Sequence, residues 1–349
     1  MGLFIRKILN FLYYFRQKPN KRVRRILFLF PSSAVGDTVI ETFFIHEIKK
    51  LYPQAQLEVA ILSPYAVLLE NNPDISHIYK MPVKTVKKLF WLALMAFTFR
   101  YRRYDLLLDL PHNGYAPFRQ ILLYFMGANK TLSCNTDGYN FITYPLKWTE
   151  EVPRHITQEV YVKALKMLGA TGPFEVKYYL SIPPETEKKI VSFLVEHNPR
   201  NKKILVFNPE GSKLPRTLTN NRVEDILNLL VKNTDYQVVI LAYKKHYKSA
   251  PTGTVIYYTK DLTETVALIA QADYVLTVDT GVLHIADAFN KPMTVLFSEA
   301  NIDDSPRPYV EYVWGSKNPN THYLKARHSV NDIEPFKIIE ILKNEEYYV

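Results

Sequence analysis

Tyr274-Val275-Leu276-Thr277-Val278-Asp279-Thr280-Gly281-Val282-Leu283-His284-Ile285-Ala286 is the stretch from which the fold is read. Tyr274–Val278 is an uncharged β-type run, as expected of a strand covered on both faces of a parallel sheet. A glycine turn follows, and Val282–Phe289 then reads as a helix. Amides from Thr280 to Leu283 would gather at the positive end of that helix, a place able to hold a diphosphate without any side-chain charge. His284 lies in the first helical turn, where it either touches a ligand or bonds to nearby backbone.

Two more strand-to-loop junctions share this grammar. Pro31-Ser32-Ser33-Ala34-Val35-Gly36-Asp37-Thr38 follows the run Arg25–Phe30 and precedes a helical pattern over Thr38–Leu51. Asp37 has two roles open to it there: helix N-cap, for which Asp is favoured, or general base facing a ligand cleft. Asn208-Pro209-Glu210-Gly211-Ser212-Lys213-Leu214-Pro215-Arg216-Thr217 follows the run Lys203–Phe207. Its Lys213 and Arg216 could cancel charge on a diphosphate, the arginine in a bidentate manner. No pair of glycines has G-x-G spacing and there is no Walker A motif, which excludes the dinucleotide fingerprint of epimerases and dehydrogenases. The nine histidines are scattered and Asp303-Asp304 reads as a solvated turn, so no metal site is expected.

Strand candidates alternate with helical patterns along the whole chain, the mark of parallel sheets with crossover helices. They are Arg25–Phe30, Leu57–Leu62, Ile75–Met81, Asp105–Leu110 and Lys130–Cys134, then Lys203–Phe207, Gln237–Leu241, Thr254–Tyr258, Tyr274–Val278 and Met293–Phe297. Further helices fit Arg222–Lys232 and Glu264–Gln271. Two halves of similar grammar meet near Leu180–Glu187, where Ser181-Ile182-Pro183-Pro184 breaks the pattern. This predicts two doubly wound domains with a ligand cleft at their strand ends. Ile333–Tyr348 reads as a closing helix able to pack back across the domains.

Composition agrees with a globular, two-domain chain: 349 residues, 47% apolar and 22% charged. The single cysteine, Cys134, excludes an intramolecular disulfide and a thiolate zinc cluster. The net charge of +10 is local, because residues 1–103 hold 17 Lys/Arg against 6 Asp/Glu. Anionic lipid headgroups or a phosphorylated acceptor would answer such a surface. Nucleic acid is disfavoured, since no zinc-finger spacing, basic-region heptad or aromatic RNA-binding signature is present.

No apolar stretch reaches the roughly 20 residues that span a bilayer. The longest is Leu89–Phe99, broken only by Thr98, with Lys84, Lys87 and Lys88 before it and Arg100, Arg102 and Arg103 after it. Arg6, Lys7 and Asn10 interrupt the N-terminal apolar run, and Arg6 also breaks the myristoylation pattern. An amphipathic helix remains, with Phe4, Ile5, Ile8, Leu9, Phe11, Leu12 and Phe15 on one face. Both segments read as contacts with an anionic membrane surface, or else as core helices with solvated ends.

The three junctions, in this order, resemble glycosyltransferase family 9, the ADP-heptose:lipopolysaccharide heptosyltransferases, over Arg25 to Pro308. The residues that carry the likeness are Ser33-Ala34-Val35-Gly36-Asp37, Tyr52-Pro53, Asn72-Pro73-Asp74, Tyr104–Asp109, His155–Gly169 and Asp279–Phe289 with Lys291-Pro292. Three places depart from the family pattern. Phe297-Ser298-Glu299-Ala300 stands for Phe-Gly-Pro-Thr, Ala242-Tyr243-Lys244-Lys245 replaces a glycine pair and glutamate, and Leu110-Pro111-His112-Asn113-Gly114 replaces a glutamine-glycine form.

The resemblance implies an α/β protein of GT-B type, two doubly wound Rossmann-like domains facing a central cleft. Residues 1–180 would bind the acceptor and carry the basic amphipathic N-terminus. Residues 181–330 would bind the nucleotide sugar, and 331–349 would form the closing helix. The implied activity is inverting, metal-independent transfer of a heptose or related sugar from a nucleotide-diphosphate donor, ADP-heptose, with no cofactor. The implied acceptor is the phosphorylated lipid A/core oligosaccharide of lipopolysaccharide or lipooligosaccharide, met by a cytoplasmic protein on the inner face of the membrane. Asp37 matches the catalytic base, in a turn with Ser33 and Gly36. Thr280, Gly281 and His284, beside Asp279, match the donor-diphosphate contacts. Arg216 falls near the family's phosphate-neutralising lysine, with Lys213 as competitor. A non-catalytic scaffold of the same fold, binding a glycolipid or nucleotide sugar, is the rival. The drift at Ala242 and Ser298 favours it, and the retained Asp37 and glycine turns oppose it.

Overall fold

A parallel strand covered by helices on both faces needs apolar residues at every position rather than at alternate ones. The runs read from the sequence meet this demand: Leu106–Asp109 and Tyr274–Val278 are buried at every residue. The computed structural model describes residues 2–14, 22–29, 34–110, 117–134, 138–147, 156–243, 251–300, 315–316 and 318–346. The chain divides into two units, Met1–Val152 with Thr157–Tyr179, and Pro153–Ile156 with Leu180–Val349.

The first unit holds β1 (Arg25–Leu29), β2 (Gln56–Leu62), β3 (His77–Met81), β4 (Leu106–Asp109), β5 (Lys130–Cys134) and β6 (Tyr144–Leu146). They form one parallel sheet in the order β3-β2-β1-β4-β5-β6. Helices α1 (Gly2–Tyr14), α3 (Thr85–Arg102) and α4 (Pro117–Met126) bury Leu9, Phe99, Leu122 and Leu123 in one core with Leu27 and Leu107. Toward α2 (Val35–Leu51) and α5 (Ile156–Met167), Phe28 meets Phe44 edge-on and Phe44 packs on Tyr161.

The second unit holds β7 (Ile204–Asn208), β8 (Gln237–Ala242), β9 (Thr254–Tyr258), β10 (Tyr274–Val278), β11 (Met293–Ser298) and β12 (Thr321–Ala326). Their order is β12-β11-β10-β7-β8-β9, again parallel. Counted from its own first strand, each sheet runs 3-2-1-4-5-6, or the same order reversed about its first strand, the Rossmann pattern. The order reverses between β1 and β4 in one sheet and between β7 and β10 in the other. Such a switch point leaves a crevice at the strand C-termini, where ligands bind in folds of this kind. The helices here are α6 (Pro184–His197), α7 (Asn220–Asn233), α8 (Leu262–Ala270), α9 (Gly281–Ala288) and α10 (Pro335–Glu346).

Pro184, read as part of the break between the halves, opens α6, since proline's missing N–H is unneeded in a first helical turn. The closing helix, expected to pack across both domains, buries Ile338, Ile339 and Leu342 in the core of the second unit with Val223, Ile226 and Leu230 of α7. Strands β6 and β12 have no counterpart among the runs read from the sequence.

Candidate functional site

In the second unit, the loops after β7 and β10 stand side by side at the switch point, because Asn208 is the register partner of Thr277. Asn208 Nδ2 donates to Thr277 Oγ1 and to Thr280 Oγ1, each at 3.0 Å, and so ties the end of one strand to the turn after the other. Thr280 is the N-cap of α9 and its hydroxyl accepts from Val282 N at 3.3 Å. Leu283 N bonds to Thr280 O at 3.1 Å. The sequence suggested four amides for an anion. Two of them are thus used within the turn, and the N–H groups of Thr280 and Gly281 remain without an acceptor among the described residues.

The loop after β7 brings a cation to the same turn. Thr217 Oγ1 accepts from Gly211 N at 3.1 Å and shares its proton between the carbonyls of Gly211 and Lys213, folding the loop over a short 3-10 turn at Leu214–Arg216. Gly211 is required by this crossing, since a Cβ there would lie 2.1 Å from Arg216 O. Arg216 Nη1 reaches Asp279 Oδ2 at 3.2 Å and Nη2 donates to Ser212 Oγ at 3.0 Å. Asp279 is buried, and a bare carboxylate would repel a diphosphate, so its work here is to hold the guanidinium in place. Lys213 is exposed and forms no ion pair among the described residues. Of the two competing cations, Arg216 is the one built into the turn.

His284 is 5% exposed. Burial pushes its imidazole down to about 4, with the Asp279 carboxylate opposing, so the ring is neutral near pH 7. It could act on a diphosphate as a hydrogen-bond donor and not as a charge.

In the first unit, α2 begins at Val35, earlier than the expected Thr38, and its N-cap is Ala34, which makes no side-chain cap bond. Asp37 is therefore the third residue of the helix and not its N-cap. Gly36 is buried and Asp37 half-buried in the first turn of α2, the helix that follows β1 in the chain. One turn further along, Glu41 accepts a short bond from Tyr161 Oη, and Thr42 Oγ1 accepts from Tyr179 N at 2.8 Å. Burial, then the carboxylates of Glu41 and Asp37, hold the Tyr161 hydroxyl protonated. Across the switch point, Asp109 ends β4 fully buried, bonded to Arg119 Nε at 2.8 Å and Ser133 Oγ at 2.8 Å. Ser33, His155, the loop 111–114, Lys244-Lys245 and Asp303-Asp304 lie outside the described residues.

Asn208, Asp109, Arg119, Tyr161 and Glu41 were missed as site-shaping residues. Asn208 and Asp109 had a readable signal, each being the lone polar residue that ends an otherwise apolar strand at a switch point. Glu41 and Tyr161 are 120 positions apart, and their pairing had none. Among the described residues, no three His, Cys, Asp or Glu side chains group as a metal site would need.

Two parallel six-stranded sheets, each in Rossmann order, define an α/β protein of GT-B type. The sequence profile of glycosyltransferase family 9 (heptosyltransferase) matches residues 96–334. The chain belongs to that family and is a glycosyltransferase. Over 95% of its length and 92% of the relative's, it is 23% identical to an Escherichia coli strain K12 protein provisionally named lipopolysaccharide heptosyltransferase 4. Among solved structures it resembles a family 9 glycosyl transferase from Veillonella parvula, with a TM-score of 0.79, 16% identity, and coverage of 94% of this chain and 98% of that one. It also resembles E. coli ADP-heptose lipopolysaccharide heptosyltransferase II, with a TM-score of 0.72, 17% identity, and coverage of 92% and 98%.

Proposed function

We propose that this chain transfers heptose, with inversion, from ADP-heptose to the inner core of lipopolysaccharide or lipooligosaccharide at the inner surface of the cytoplasmic membrane. The observation that carries the reading is the turn after β10: two open amides at the start of α9 beside an arginine oriented by Asp279. A nucleoside diphosphate gains negative charge as it leaves the sugar, and fixed donors aimed at that charge lower the barrier. Arg216 supplies the positive charge that a divalent ion supplies in other transferases, so the reading needs no metal and no cofactor.

Asp37 is assigned as general base. The acceptor hydroxyl gives its proton to the Asp37 carboxylate as its oxygen bonds to the anomeric carbon. The bond from that carbon to the diphosphate oxygen breaks, and the electron pair leaves with ADP. Attack opposite the leaving group inverts the anomeric centre. The neutral His284 adds a hydrogen bond to the diphosphate, and Gly36 precedes Asp37 in the first turn of α2.

The test is incubation of the protein with ADP-heptose and a truncated, heptose-free core acceptor. A mass gain of one heptose with release of ADP is expected. Donor binding without any transfer across a panel of nucleotide sugars and core acceptors would instead favour the scaffold reading, which the changes at Ala242 and Ser298 support.

A further inference from the structure

Helices α1, α3 and α4 bury one side against the first sheet, yet their outward side is unusually apolar. Along α3, Phe90, Leu94, Phe97 and Tyr101 recur at helical spacing and are 67%, 54%, 75% and 88% exposed. On α1, Phe4 and Phe11 are 68% and 65% exposed. The helices adjoin: Arg100 Nη1 of α3 donates to the carbonyl of the exposed Phe125 on α4, and Leu9 of α1 shares a core with Leu122 and Met126 of α4. So many exposed aromatic and apolar side chains on adjoining helices mark an interaction site.

Charge selects the partner. None of the three helices contains an acidic residue, while Lys7, Lys87 and Arg100 are exposed on them and Lys84 and Arg103 flank α3. A two-fold contact with a second copy would press this basic face against itself. An anionic bilayer takes both features, the aromatic rings at the headgroup level and the basic groups among the phosphates. Among the described residues no helix is long and apolar enough to cross a membrane, so the contact is with its surface.

We propose that α1, α3 and α4 form one composite docking face that seats the first unit on an anionic bilayer. The proposal rests on the lipid-linked acceptor assigned above and names the surface by which the protein meets it. α4 connects this face to the ligand end of the sheet, with Arg119 paired to Asp109 at the end of β4 and Phe125 exposed near its own C-terminus. Removing the N-terminal segment is a poor test, because Leu9 belongs to the core. Substitutions of exposed residues are cleaner.

The test is flotation of the full-length protein with phosphatidylglycerol-containing and pure phosphatidylcholine vesicles. Salt-sensitive binding to the former alone is expected. Phe90→Ser/Phe97→Ser and Lys84→Glu/Lys87→Glu should each weaken it by about tenfold or more. Both variants should keep the wild-type melting temperature and wild-type turnover on a lipid-free acceptor. No binding by the wild-type protein, or equal binding by both variants, overturns the proposal. So does a wild-type dimer in solution that Phe90→Ser/Phe97→Ser dissociates, which would assign the face to a second copy. Turnover on the lipid-free acceptor reports the transferase reading alone, so a failure there is read separately from the vesicle result.

Discussion

Asp37 and Arg216 divide the proposed chemistry between a base and a fixed cation, and each can be tested alone. Asp37→Asn is expected to lower kcat by about 100- to 10,000-fold, roughly 3–5 kcal/mol, with little change in ADP affinity measured by calorimetry. Near-wild-type turnover would remove Asp37 from the mechanism. Arg216→Ala deletes charge-assisted bonds and should weaken ADP binding by about 10- to 100-fold, whereas Lys213→Ala should leave it almost unchanged. The reverse pattern would hand the role to Lys213. His284 makes a prediction in pH. Its folded pKa is about 4 against an ordinary histidine value of 6.5, so the unfolded chain binds more protons between those values. The stability tied to the neutral ring is complete above about pH 6.5 and falls as pH drops toward 4, by at most roughly 3 kcal/mol. In denaturant titrations from pH 7 to pH 4, His284→Gln should lose less stability than the wild type.

At the scale of elements, α9 has only 8 residues and leans on its cap. Thr280→Ala removes the bond to Val282 N and the acceptor of Asn208 Nδ2, with an expected loss of about 1 kcal/mol of stability and a weaker hold on ADP. Which elements could be read from the chain follows from where they sit in the sheets. Inner strands such as β4 and β10 are buried at every residue and announce themselves as apolar runs. β6 and β12 are outer strands, paired on one side only. β3 and β9 are outer too and still read as β-type runs, but Pro145 interrupts the short β6 and Thr321–Leu324 of β12 are half-exposed, so these two carry no such signature. The proposed docking face shows the same limit. The apolar character of α1 and α3 was legible, but which of their residues face outward depends on the contacts with α4.

On the scale of the whole molecule, each unit has its own sheet and its own apolar core. ADP should therefore stabilise the second unit, by about 2.7 kcal/mol at a hundred times its Kd. Scanning calorimetry should show ADP raising the transition assigned to that unit, and Arg216→Ala should shrink the shift. A shift in only the other transition would move the nucleotide site to the first unit. The residues alone determined the α/β class, the pairing of two Rossmann-like halves and the three loops at strand ends, because burial on both faces and glycine turns at helix starts leave local marks. Only the tertiary structure decided that Asp279 orients Arg216, that two of four expected amides are spent on the Thr280 cap, and that Glu41 meets Tyr161. Those outcomes depend on strand register and on side chains from distant parts of the chain meeting in one buried space, which no local pattern encodes.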